Sequence, residues 1–286
     1  MLESSLRFAP PPRRVPFSLA ISTSLNAVVQ VGFAVLGFSS IFFWTFVANA
    51  DFSFITFAGS LGRASGVVTR VETTNASENR TSIRANHYEY SVGGQNFQGV
   101  SYSTGEAVQQ GENVLVEYLQ RAPGTSRIAG QRRKMFGPLV LLVIIFPALG
   151  LAFIIGGVRW GSRRARLMRD GIFTTGVLKR KRATNATVNN RRVFDLFFEF
   201  TARDGRRCEA KARTSIPERL EDEREEPLLY NPERPEDAVM LDEAPARPQF
   251  DERGELMGRP VAALLAMILP AIIIAANVLV LLSKLG

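Results

Sequence analysis

Apolar and polar positions in this chain separate into three long hydrophobic runs and the polar segments between them. The runs cover about 26–48, 135–158 and 261–283. Each matches the twenty or so residues that a helix needs to cross the hydrocarbon of a bilayer. The middle run, MFGPLVLLVIIFPALGLAFIIGGV, carries no charge. Arg132, Arg133 and Lys134 stand on one side of it, and Arg159, Arg163, Arg164, Arg166 and Arg169 on the other. Three uninterrupted runs of this length are rare in a soluble fold of this size. Buried core helices are therefore the weaker reading. The first run exceeds the apolar core of a signal peptide, and only the weak motif Val47-Ala48-Asn49-Ala50 follows it. It reads as a retained span.

The polar segments change period. Gly66 opens the alternating stretch GVVTRVE, which leads through a polar turn to Tyr88-Glu89-Tyr90-Ser91-Val92 and a Gly93-Gly94 turn, then to residues 95–102 and 113–118. The second segment repeats this order. Gly176 opens GVLKRKR, a polar turn spans 185–192, and Phe198-Glu199-Phe200-Thr201-Ala202 precedes Asp204-Gly205, with 206–213 and 227–230 following. The correspondences are Tyr88/Phe198, Glu89/Glu199, Tyr90/Phe200, Gly94/Gly205, Tyr118/Tyr230 and Pro123/Pro235. Alternation puts one set of side chains on a buried face, and the glycine pairs supply the positive φ of tight hairpins. Each segment predicts an antiparallel sheet of about five strands. The stretch 218–226, ERLEDEREE, interrupts the second copy as a charged turn.

The fold class expected is a membrane α + β protein. It has three transmembrane helices and two homologous small antiparallel β-domains, each a sandwich or partly closed barrel. The division is a basic N-terminal tail at 1–24, spans at 25–50, 135–158 and 260–283, a first β-domain at 51–134, and a second at 159–259 with a basic juxtamembrane segment. On the shared pattern G-x-V-x-x-V, Y/F-x-Y/F-x-V/A-x-G and Val-x-Tyr-x-x-x-x-Pro, the two segments, about 66–130 and 171–245, resemble the DUF3592 family. The resemblance implies a bacterial membrane-associated β-domain, and it brings no catalytic residues.

Charge refines the topology. The net charge of +8 is concentrated near the ends of the runs. That favours anionic headgroups over nucleic acid, which would draw the excess to one face of a soluble domain. Eleven basic residues flank the runs on one side, among them Arg7, Arg13, Arg14, Arg247, Arg253 and Arg259, against eight on the other. By the positive-inside rule the N-terminus and the second β-domain are expected in the cytoplasm and the first β-domain outside; the DUF3592 resemblance implies that the membrane is a bacterial inner membrane. The lipid-contact candidates are Arg163, Arg164, Arg166, Arg169, Lys179, Arg180, Lys181 and Arg182, with Arg191 and Arg192 expected across the hairpin from the last four. The helix-packing candidates are the small residues Ala148, Ala152 and Gly156, and Ala262, Ala266, Ala271 and Ala275. Asn26 and Gln30 lie one turn apart, and headgroup placement is preferred for them over bonding to a neighbouring helix.

Candidate chemistry is sparse. One cysteine, Cys208, and one histidine, His87, exclude an intrachain disulfide and make a His/Cys metal site improbable. His87 reads as a strand residue, and no nucleophile has an evident base. The asparagines of the Asn75, Asn79 and Asn185 sequons read as turn residues in a bacterial protein. The sequence therefore predicts no catalytic, cofactor or metal site. It predicts a non-enzymatic scaffold, accessory subunit or adaptor bound to a protein partner or a second copy, with a transporter or channel component, or a transmembrane sensor, as the alternative.

Overall fold

The computed structural model describes residues 9–105, 108–243 and 248–285. Arg7 and Arg247 of the basic flanks lie outside the described residues. In chain order the elements are α1 (Phe17–Ser24), α2 (Ala27–Phe46), α3 (Ser53–Thr56), β1 (Leu61–Glu78), β2 (Thr81–Val92), β3 (Gln95–Thr104), β4 (Asn113–Leu119), β5 (Ala122–Ile128), α4 (Ile145–Asp170), β6 (Ile172–Val188), β7 (Arg191–Thr201), β8 (Arg207–Thr214), β9 (Glu226–Tyr230), β10 (Ala238–Met240) and α5 (Pro260–Leu285). Among the described residues three helical stretches are long and apolar enough to cross a membrane: Ala27–Asn49, Pro138–Asp170 and Pro260–Leu285. The chain forms two compact units, Met1–Ala34 with Gly150–Leu279, and Val35–Leu149 with Val280–Gly286.

Each unit holds one five-stranded antiparallel sheet. The orders are β3-β2-β1-β4-β5 and β10-β9-β6-β7-β8, which is one topology with strands one to five replaced by six to ten. The match extends to individual defects. β1 and β2 slip between Val68 and Arg70 and again between Thr73 and Ser77; β6 and β7 slip between Leu178 and Arg180 and between Ala183 and Thr187. Inside the second slip, Thr74 Oγ1 donates to Ile83 O and Thr184 Oγ1 to Val193 O, both at 2.9 Å. The hairpin tips Asn79-Arg80 and Asn189-Asn190 have positive φ at both positions, as a tight two-residue turn of this kind requires.

The expected polar turns are therefore much shorter than the sequence suggests. Most of their residues continue the long first hairpin of each unit as a two-stranded ribbon. Asn79 occupies a turn, whereas Asn75 and Asn185 belong to the ribbons.

In the β1–β5 unit, Val68, Tyr88, Tyr90, Val116 and Ile128 form the core. Tyr88 bonds to Ser126 Oγ at 2.8 Å and Tyr90 donates to the Pro123 carbonyl. The edge strands approach each other, since the Ile128 N–H donates to Ser101 Oγ at 2.8 Å and Tyr102 exchanges backbone bonds with Arg132. Of the aromatic stretch before β1, Phe57 is buried beneath Arg127 and Arg133, while Phe52 and Phe54 are exposed. His87 faces Arg70 and Glu72 on the outer side of β2.

In the β6–β10 unit, Leu196, Phe198, Phe200, Leu228, Tyr230 and Met240 fill the equivalent core. A second cluster joins Leu229 and Val239 to Leu19 of α1 and to Leu167 and Met168 of α4. The basic tail expected at 1–24 is thus part of this unit over its described residues. Residues 17–24 form α1, and Arg13 is buried against the end of α4. The Arg13 N–H donates to Arg169 O at 2.7 Å, and its guanidinium to Gly171 O at 2.8 Å and Met168 O at 3.3 Å. A cation on the last carbonyls of a helix both satisfies them and opposes the negative end of the dipole.

Helix contacts in this unit rest on amides and glycines. Asn26 Oδ1 accepts from the N–H groups of Val28 and Val29, capping α2, while its Nδ2 donates to Gly157 O of α4 at 2.8 Å. Gln30 Nε2 donates to Ala266 O of α5 at 2.8 Å. Both amides tie helices together, the bonding alternative to the preferred headgroup placement. A Cβ on Gly157 would lie 2.6 Å from Val29 Cγ2, and one on Gly161 would lie 2.5 Å from the Thr23 carbonyl oxygen. The close approach therefore uses Gly157 and Gly161. Ala148, Ala152 and Gly156 are exposed, with nothing within 4 Å of a Cβ built on Gly156. On α5, Ala266 is half-buried, Ala262, Ala271 and Ala275 are exposed, and Ala263 and Pro270 are the buried residues.

The second span is helical well beyond the apolar run. Residues 159–170, read as a juxtamembrane segment, continue α4 without a break, and Pro138–Ile144 precede it as a 3-10 stretch. Pro147 has no N–H to bond back to residue 143, which fits the tighter winding before it.

Gly161→Ala should destabilise the detergent-solubilised protein by about 1–3 kcal/mol, because the obstacle is backbone and cannot give way. Gly156→Ala should change stability little. Thermal unfolding of the two variants side by side checks this.

Candidate functional site

The feature most dense in chemistry is the outer face of β6, β7 and β8. Strand alternation sends Leu196, Phe198 and Phe200 into the core, and Asp195, Phe197 and Glu199 to the other side. There the register sets Arg182 and Arg213 on either side of Asp195, and Arg180 and Lys211 on either side of Phe197.

Asp195 is fully buried beneath these long side chains. It receives Arg213 Nε at 2.7 Å, Lys211 Nζ at 3.0 Å and Arg182 Nη2 at 3.3 Å. Arg213 foremost, with Lys211 and Arg182, holds its carboxyl well below the usual carboxylate range, against the opposing effect of burial. Phe197 carries the Arg180 guanidinium 4.1 Å and the Lys211 ammonium 5.5 Å above its ring, a stacking in which the cations cover an aromatic on the outer face and leave it buried. One carboxylate thus organises three cations, and the face keeps a positive excess.

The lipid-contact candidates divide. Arg180 and Arg182 belong to this face. Lys179 pairs with Glu199 at 3.8 Å. Lys181 points to the opposite side of β6, over Phe194 and paired with Glu221 at 2.8 Å. Arg166 and Arg169 are exposed on α4, with Arg169 bound to the neighbouring Asp170. Arg163 pairs with Asp237. Arg164 is 4 % exposed and lies over Trp160 at 4.5 Å, so its guanidinium is held inside the unit. Arg191 and Arg192 sit near the hairpin tip opposite Val188 and Thr187; the residues across from 180–182 are Phe197, Leu196 and Asp195.

Sequence reasoning missed Lys211, Arg213 and Asp195, although the alternation of KAR against FDLF carries the signal once the strands are paired. It also missed Glu226, which pairs with Gly176 where the sister unit sets Val114 against Gly66. This carboxyl occupies the place of a valine and is 1 % exposed. Its Oε1 accepts from the Glu223 N–H at 3.2 Å. Burial pushes its pKa up to about 7, and the nearby carboxylates of Asp222 and Asp242 add to the rise against the Glu223 hydrogen bond.

Compared with known proteins, the chain matches no family model, no curated protein and no solved structure. Three apolar helices of spanning length and two five-stranded antiparallel sheets make it a mixed α + β protein compatible with a membrane.

Two outcomes are expected from the carboxylates. Asp195→Asn should cost about 1–2 kcal/mol at pH 7. The wild-type contribution is complete above the unfolded carboxylate pKa of about 3.9 and fades as pH falls through the lower folded value, so the gap between the proteins should close in acid. Glu226 has the opposite sign, because its folded pKa is raised. It costs nothing below the unfolded pKa and progressively destabilises as pH rises toward 7. Glu226→Gln should therefore raise the melting temperature at pH 8 and leave it nearly unchanged at pH 4. Melting curves across pH check both.

Proposed function

We propose that this chain is a three-span integral membrane protein of non-enzymatic role: a scaffold, accessory subunit or adaptor in a bacterial inner-membrane complex. In this reading the N-terminus and the β6–β10 unit are cytoplasmic and the β1–β5 unit is outside. Each sheet is curled into a partly closed barrel, and anionic headgroups meet the basic residues of α4 and β6. The bonds from β5 to Ser101 support the curling, and the DUF3592-like motifs agree with a membrane-associated β-domain.

The observation that carries the reading is the surface of α4 and α5. Leu142, Ile145, Phe146, Leu151 and Ile155 on α4 and its lead-in, and Leu264, Leu265, Ile272 and Leu279 on α5, are all exposed. Side chains of this kind stay exposed in a stable protein where lipid or another protein covers them. The small residues Ala148, Ala152 and Gly156, and Ala271 and Ala275, are exposed among the described residues and suit the close approach of a partner helix or a second copy. The channel alternative has less support, because Asn26, Gln30 and Asn277 direct their amide N–H groups to backbone carbonyls.

Solubilisation of the full chain in mild detergent, with mass determination of the particle, tests the role. A stoichiometric assembly with another membrane protein or a second copy is expected. A lone monomer that keeps its fold, whatever the detergent, contradicts it.

A further inference from the structure

α1 and the last turns of α4 run side by side in opposite directions. Leu19 clusters with Leu167 and Met168, and Thr23 meets Gly161. Beside this contact lies an open groove of about 650 Å³. Ser24 and Ser162 line it nearer the apolar part of α4; Arg13, Arg14, Arg166 and Arg169 line the rest, and none of its lining is acidic.

The four arginines differ in their freedom. Arg13 is buried and directs its guanidinium to the Ala9, Met168 and Gly171 carbonyls. Arg169 is bound to Asp170. Arg14 and Arg166 are exposed, and among the described residues neither side chain forms an ion pair or a hydrogen bond. The bonds of Arg13 fix the segment that carries Arg14, so the two free guanidinium groups line one groove from fixed elements. A stripe of α4 continues from this groove into the apolar run. Residues 151, 155, 158, 162, 165 and 169 recur every three or four positions and therefore share a face. Leu151, Ile155 and Val158 of that stripe are exposed. Ser162 and Ala165 follow, and Arg169 closes it with Arg166 beside it. The order along the face is apolar, hydroxyl, cation.

We propose that this groove seats the headgroup of an anionic phospholipid, with the phosphate held by Arg14 and Arg166 and an acyl chain lying along Leu151, Ile155 and Val158. The lipid occupant rests on the membrane reading above and gives it a defined contact. Apolar, hydroxyl, cation on α4 is the order of acyl chain, glycerol ester and phosphate in such a lipid, and Arg166 follows Ser162 by about 6 Å along the axis. Guanidinium groups offer phosphate oxygens several donors each, and basic pockets beside spanning helices take phosphate headgroups. A phospholipid suits the groove better than free phosphate, because an ion alone leaves the apolar continuation of the stripe uncovered.

The test uses the full chain in mild detergent. Native mass spectrometry counts the lipids kept by each chain during titration with phosphatidylglycerol, with phosphatidylcholine and with inorganic phosphate. Saturable binding of phosphatidylglycerol is expected, about tenfold tighter than that of phosphatidylcholine. Arg14→Gln and Arg166→Gln should each weaken it about fivefold, with the melting temperature unchanged because neither side chain has a partner to lose. Arg207→Gln, on β8 and outside the groove, should bind as the parent does. Equal binding of the two lipids overturns the proposal, as does equal phosphatidylglycerol binding by Arg166→Gln and Arg207→Gln. Inorganic phosphate that displaces the lipid at equal concentration also overturns it and assigns a free-anion site instead. Alkaline carbonate extraction of membranes carrying the chain is run in parallel. Release of the chain removes the membrane reading and the lipid occupant with it. Retention of the chain without selective binding removes the occupant alone and leaves the membrane reading standing.

Discussion

An amide in an apolar helix must find a partner, and two such amides organise the helices of the β6–β10 unit. Among apolar side chains an amide is costly unless it bonds to protein. Asn26 bonds to the Gly157 carbonyl of α4 and Gln30 to the Ala266 carbonyl of α5. These bonds set the positions along α2 that face each neighbour. They also require close backbone approach, which explains why glycine stands at 157 and 161. Asn26 adds a third role as the cap of α2, so one side chain fixes both where that helix starts and what it touches.

The end of α4 follows the same logic with charge in place of amides. Its final carbonyls are satisfied by Arg13, brought back from the start of the chain, and Ser18 Oγ accepts the Arg259 N–H just before α5. The N-terminal segment is consequently a structural clamp on the β6–β10 unit. Beyond it, Asp195 and Asp237 hold cations that would otherwise repel one another. The β1–β5 unit has the same sheet, and beside its apolar core it buries polar groups. Asn86, buried at the place of Leu196, donates to Ser103 Oγ and Gln131 Oε1. The two units share a framework, and their chemistry has diverged within it.

Much of this framework was legible in the sequence. The three helices follow from apolar run length alone, and the repeat from a handful of aromatic and glycine positions whose register the strands reproduce, down to paired bulges. Turn chemistry located Gly94 and Gly205 correctly, yet it overextended the polar turns, because a two-stranded ribbon exposed on both faces has no apolar alternation to mark it. The small-residue stripe Ala148, Ala152, Gly156 was readable as a pattern, but not the fact that the chain itself packs on Gly157 and Gly161. That choice depends on where Asn26 bonds. The burial of Arg13 and Arg164 was hidden, since a basic residue beside an apolar run reads equally as solvated or as a cap. Glu226 was hidden for a related reason. It sits in an acidic stretch whose other members are mostly solvated, and only its pairing with Gly176 reveals a core position.

In the proposed topology the second apolar helix is a divider that sets one copy of the sheet on each side of a membrane. Single cysteines at exposed positions, Gln109→Cys on the β1–β5 unit and Asp204→Cys on the β6–β10 unit, each in a Cys208→Ser background, report this directly when a membrane-impermeant maleimide is added to intact spheroplasts. Labelling at 109 and protection at 204 until the membrane is opened are expected. Labelling of both positions from the same side of a sealed membrane contradicts it.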